Sequence, residues 1–257
     1  MLYDELQIGA VVDGEAALEF MKEATKVATS TELETIGARL AEKSARFRAR
    51  LARDRIASLD HEGFGDIVGQ IFSIRRKAGR LIKINGIDTL RTELEALLYG
   101  SDGLAARIDR FMVQITGLER AMILALATEA LHFTDPERFW LWTYWIWNPE
   151  TKSGALRLVT HEAAELDGAS DGATYERIGR AMVLVDQHGH IAGYARAARG
   201  LFGTDIFLAC VYAVYMATMF RLKLSQEFNR ILPELPELVE RVLGVRPPRE
   251  VAKGPQR

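Results

Sequence analysis

Fifteen consecutive residues, Ile206 to Phe220, carry no charge and lie between Asp205 and Arg221. No other stretch is as apolar for as long. Its length predicts a helix rather than a strand, although Val211, Tyr212, Val214 and Tyr215 also suit strands. Apolar positions fall on every side, the pattern of a helix enclosed by protein. A membrane span needs about 18 to 20 apolar residues. Extending back to Leu201 reaches that length only by including Asp205, which is costly in lipid. A buried late helix is the expectation, with no membrane span. Near the start, the 3.6-residue period predicts a helix from about Gly14 to Ala28. A second begins at a cap on Ser30 or Thr31, with Glu34 completing a capping box if Thr31 is the cap. It aligns Leu33, Ile36, Leu40, Phe47 and Leu51 and reaches toward Leu59. Lys43 and Asp54 break its heptad, so a long coiled coil is not expected.

Further along, His61 follows Asp60 at an expected helix end, and Gly63 and Gly65 mark a turn. Thr134 caps a helix through Trp147, with Pro136 in its first turn and Glu137 three residues after the cap. Asn148 to Gly154 reads as a turn, Leu156 to Val159 as a short strand, and Asp167 to Gly172 as a loop. Thr174 to Val185 is either a helix or, with Met182–Val185 and Ile191–Tyr194, a small hairpin. Leu222, Leu224, Phe228 and Ile231 continue an amphipathic pattern. A short helix from Pro236 then ends at Gly244, and the tail from Arg246 has a disordered composition. The fold class is mostly α: a multi-helix globular domain with a buried late helix and at most a small β-hairpin. Four segments follow: an amphipathic and basic region 1–83, a central helical region 84–166, a region 167–245 holding the core helix, and the tail 246–257.

Composition adds limits. The 257 residues are 48% hydrophobic and 26% charged, as in an ordinary soluble globule large enough for an ample core. A net charge of -2 gives no global attraction to nucleic acid or anionic lipid. The charge is unevenly spread, however. Residues 1–36 hold eight acids and two lysines, whereas residues 37–83 hold twelve Arg and Lys against five acids. The one cysteine, Cys210, lies inside the apolar helix and reads as a small buried hydrophobe. No basic region followed by an apolar run opens the chain, so the expected compartment is the cytoplasm.

The basic residues allow two roles. Arg46, Arg50 and Arg53, with Arg75, Arg76, Lys77, Arg80 and Lys83, form either a solvated face or a phosphate-contacting one. Two segments beyond them share a shape. Ile84-Asn85-Gly86-Ile87 and Ile115-Thr116-Gly117-Leu118 each set a glycine between an apolar residue and a helix. These segments resemble the helix-hairpin-helix element. The stretch from about Phe72 to Trp147, with its tail LHFTDPERFWLW, resembles part of a helical DNA-glycosylase-like domain. The resemblance implies that the turns at Gly86 and Gly117 offer backbone N–H groups to a DNA phosphate. In that family a second glycine follows two residues later; here those positions are Asp88 and Glu119. The window in which the family places its catalytic aspartate, Arg138 to Tyr144, holds no Asp. The resemblance therefore implies binding without base excision.

Other chemistry-bearing residues are sparse. Glu129 and His132 have the E-x-x-H spacing of a di-iron bundle, but no second copy exists. His161 and Glu162 begin H-E-A-A-E, in which Glu165 replaces the second histidine of a zinc-protease motif. His188 and His190 flank Gly189 near Asp186 and suit a metal or proton transfer. No cofactor is expected. All four tryptophans, Trp140, Trp142, Trp145 and Trp147, fall within nine residues alongside Phe139 and Tyr144. On a helix they point several ways, so they are either enclosed or shared with a partner surface. The leading expectation is a non-catalytic helical interaction protein, an oligomer or complex subunit. The alternatives are a nucleic-acid-binding accessory protein using the basic region and the glycine turns, and an enzyme or metal protein using the His and Glu groups.

Overall fold

The computed structural model describes residues 10–192, 200–223 and 233–245. Among these the chain forms α-helices and one 3-10 turn, with two isolated β-bridges and no strand. Helix α1 spans Gly14–Val27 and α2 spans Ser30–Leu51. Asp13 caps α1 by accepting from the Ala16 amide at 3.0 Å, and Ala17, Met21 and Ala24 form its buried stripe. The second cap is Thr29, boxed with Glu32, one to two residues earlier than the sequence suggested. Ala28 is already extended, so Thr29 has the non-helical backbone that a cap requires. The second helix ends at Leu51 rather than near Leu59, because Ala52 turns extended and a 3-10 turn, Ile56–Ser58, follows.

Asp60 starts a helix rather than ending one. It caps α3, His61–Gly69, through the Gly63 amide at 2.8 Å. Gly63 and Gly65 are helical residues, the side-chain cap having overridden the turn tendency of glycine. Next come α4, Ala78–Asn85; α5, Ile87–Tyr99; α6, Leu104–Gln114; and α7, Arg120–Thr134. Helix α8, Ala155–Leu158, is a single turn where a strand was expected. All that remains of strand pairing there is an isolated bridge between Val12 and Thr160. Helix α9 runs Asp171–Ala192, which selects the helical reading of that region over the hairpin. Helix α10 spans Gly203–Lys223 and α11 spans Leu235–Val242. The side chains of Leu222, Leu224, Phe228 and Ile231, and the tail from Arg246, lie outside the described residues.

The late apolar helix is enclosed over its first part only. Ile206 through Val211 are all buried, while Val214 through Phe220 are half-buried or exposed. Among the described residues one helix is long and apolar enough to cross a membrane by length and composition, Gly203–Phe220, and half of that window is buried in protein. Helix α10 packs on α1 and α11, α2 packs on α7, and α9 packs on α6. One continuous core runs from Val12 to Leu243 and takes residues from all three of the regions 1–83, 84–166 and 167–245.

The aromatic segment departs most from expectation. Thr134 is the last residue of α7, not a cap, and residues 135–147 are turns and irregular chain. Side chains, three of them from other elements and one from the segment itself, take the carbonyls that a helix would have used. His132 Nδ1 donates to Phe139 O at 2.8 Å and the Tyr175 hydroxyl donates to Trp140 O at 2.8 Å. The Thr128 hydroxyl donates to Trp142 O, and Trp142 Nε1 donates to Trp147 O at 2.9 Å. A helix would fan the rings around its axis. Irregular chain lets Phe139, Trp142 and Trp147 all enter the core.

Candidate functional site

The two glycine turns lie side by side. Gly86 separates α4 from α5 at φ 77°, and Gly117 lies between α6 and α7 at φ 90°. Both are in the region that disfavours side chains. Asn85 bridges them: its amide nitrogen donates to Thr116 O at 3.1 Å, and its carbonyl oxygen accepts from Thr116 N at 3.0 Å. Ile84 packs directly under Gly117. The starts of α5 and α7 therefore face out from one paired turn, and neither has a side-chain cap.

Beside this pair runs the basic segment. Residues 70–87 contain Arg75, Arg76, Lys77, Arg80 and Lys83 and no acid. Among the described residues none of these five cations forms an ion pair or side-chain hydrogen bond; Arg75 lies over the ring of exposed Phe72, 5.0 Å from its centroid. The arginines of α2 differ. Arg50 pairs with Asp66 at 2.6 Å, and Arg53 donates to Tyr99 O at 3.2 Å, whereas Arg46 is exposed and has no partner among the described residues. The structure thus divides the basic region into a partly neutralised helix face and an open segment. Of the two acids that stand where the resembled family has its second glycine, Asp88 is 3.2 Å from Arg91, and Glu119 is exposed at the start of α7.

Glu129 and His132 are buried and face different partners. Glu129 receives Lys43 Nζ at 2.7 Å, and the same ammonium reaches Leu243 O at 3.1 Å and sits 4.2 Å from the Phe133 ring centroid. His132 Nε2 lies 3.2 Å from Asp205 Oδ2, without an aligned hydrogen bond. Nδ1 already donates to a carbonyl, so it carries a proton. The Asp205 carboxylate beside Nε2 favours a second proton on the ring. Burial raises the Glu129 carboxyl above its usual range, against the pull of Lys43. Burial pulls His132 down, but Asp205, with the Phe139 carbonyl, outweighs it and leaves the ring above its usual range. Among the described residues no group of three or more His, Cys, Asp or Glu could hold a metal. The E-x-x-H pair serves two core contacts. Both partners were visible in the sequence only as oddities: Lys43 as a break in a heptad, Asp205 as a charge before an apolar run.

The remaining candidates do not converge. His161 and Glu162 are exposed, and Arg157 holds their carbonyls at 2.8 and 3.1 Å. His188 packs against Gly14 of α1, while exposed His190 lies 3.6 Å from Asp186. Asp186 also accepts from Thr204 at 2.6 Å. Burial pushes the Cys210 thiol up to about 12, which makes it unreactive at neutral pH. Trp140 and Trp145 are half-buried, the latter beside Tyr212 with ring centroids 6.0 Å apart. Known protein families, curated proteins and solved structures yield no match to this chain.

Proposed function

We propose that the protein is a non-catalytic nucleic-acid-binding protein that seats a phosphate backbone on the Arg75–Lys83 segment and the paired glycine turns. One observation carries this reading: five cations crowd a short surface segment without a carboxylate partner among the described residues. Such a concentration of like charge is unfavourable for the free protein and is relieved when phosphates arrive and counterions leave. Exposed Phe72, backed by Arg75, adds an aromatic surface suited to a base or sugar. Fluorescence anisotropy with a labelled duplex and a labelled single strand tests the proposal. Binding at low salt should weaken with a log–log salt slope on the order of −4, for four or five phosphate contacts. Replacing Arg75, Arg76, Arg80 and Lys83 together by Ala should weaken it at least about tenfold, since several such contacts vanish. Unchanged affinity in that variant, or no binding at low salt, removes the reading.

A protein partner or self-association is the second reading. It draws on exposed apolar side chains near the turns, Ile84 at 47% and Val113 at 73% exposed. The aromatic segment lends it less than the sequence suggested, because Phe139, Trp142 and Trp147 are enclosed within one chain. A sedimentation mass above 28.8 kDa would favour this reading; a monomer at high micromolar concentration that purifies without a companion would count against it.

A further inference from the structure

We propose that a cleft beside α9, remote in sequence from the basic segment, binds a small organic carboxylate with an unbranched apolar body. The cleft encloses about 650 Å³, within the range of small-molecule sites. Its space exists because alanines stand where larger side chains would fill it: Ala10, Ala164 and Ala181 line it. Val11, Leu166, Val183 and Leu184 complete the apolar walls. Four polar side chains border it, and they are not equivalent. Arg177 is already matched, 3.0 Å from Glu165. Gln187 is neutral. Arg180, nearly one helical turn beyond Arg177, is exposed and has no ion pair or side-chain hydrogen bond among the described residues.

An unmatched guanidinium at the edge of an apolar cleft selects the ligand by charge. Its planar fork matches a carboxylate in bidentate fashion. From Arg180 to Gln187 the helix rises about 10 Å. A carboxylate held at Arg180 would lay an extended chain of that length along Ala181 and Leu184. Decanoate is a probe of about this reach. The cleft shares no lining residue with the phosphate-binding surface, so the inference stands apart from the proposed function.

Isothermal titration of the full chain with decanoate, kept below its micelle concentration, tests the site. Decan-1-ol and decyltrimethylammonium are the comparison ligands. Saturable one-to-one binding of decanoate is expected, at least about tenfold tighter than decan-1-ol, because charge-assisted bonds to Arg exceed neutral ones. The ammonium compound should not bind. Arg180→Glu, at an exposed position, should abolish decanoate binding without unfolding the chain. Ala181→Leu, checked for retained helicity, should block decanoate and decan-1-ol alike. The proposal fails if wild-type protein shows no saturable heat with decanoate, if decan-1-ol binds equally well, or if Arg180→Glu binds decanoate like wild type.

Discussion

At the residue scale, the buried charges invite direct tests. Lys43 and Glu129 are 3% and 7% exposed. Removing one partner strands the other charge in the core, so Glu129→Leu should cost about 3 to 5 kcal/mol in urea unfolding. The double change Lys43→Met with Glu129→Leu should recover most of that loss, since an apolar pair of similar volume is often as stable as a buried ion pair. A double variant as unstable as the single one would show that packing, not charge, sets the cost. His132 makes a pH prediction. Its folded-state value is raised above the ordinary 6.5, so its contribution is complete below about pH 6.5 and is lost as pH rises through the folded value. Raised Glu129 acts in the same direction from its own ordinary 4.5 upward. The urea midpoint should therefore fall as pH rises above about 6.5, and His132→Gln should flatten the decline while lowering the midpoint overall. A wild-type midpoint that does not change as pH rises from there would refute the assignment. The sequence supplied the residue types here but not the pairings, since Lys43, Glu129 and Asp205 lie far apart along the chain and only the fold decides which carboxylate meets which cation.

At the element scale, α9 depends on its contact with α6. Asp109 of α6 accepts from the Ser170 hydroxyl at 2.7 Å and from the Gly172 amide at 2.8 Å, so one helix caps the start of another. A Cβ at Gly172 would come well inside 3 Å of the Ala105 backbone. Backbone cannot swing aside as a side chain can, so Gly172→Ala should destabilise by about 3 kcal/mol, the upper part of the overpacking range. Asp109→Ala should cost about 1 to 2 kcal/mol, as for a lost cap. Thermal melts would rank the two, and a Gly172→Ala variant as stable as wild type would contradict the helix spacing. Helices with strong local stripes were legible in the sequence: α1 begins and ends within a residue of its expected bounds. The aromatic segment was not. Its proline, threonine and glutamate satisfy the local rules for a helix start, and the donors that claim its carbonyls include a tyrosine thirty-five residues onward.

For the whole molecule, the enclosure of the tryptophans can be read from one spectrum. Trp142 and Trp147 are 0% exposed while Trp140 and Trp145 are half-buried, so iodide should quench native emission only in part and leave a blue-shifted component until the protein unfolds. Strongly quenched, red-shifted native emission would place the aromatic segment at the surface instead. The all-helical class was legible because long periodic segments dominate the chain. The candidate phosphate surface was half legible. Its cations and glycines stand out in the sequence, but that Asn85 clasps the two turns together, and that Asp66 neutralises Arg50 while Arg80 and Lys83 stay open, depends on long-range packing.

Lys43 has a further consequence, in the order of synthesis. Its carboxylate partner lies 86 residues later and its carbonyl partner 200 residues later. At about 5 to 20 residues per second, roughly 10 to 40 seconds separate the emergence of this lysine from that of Leu243. Throughout that interval the ammonium has no completed site to enter, and the face of α2 around it stays wet. The first helices can form on the ribosome, but the core around Lys43 must wait for translation to reach the last described helix.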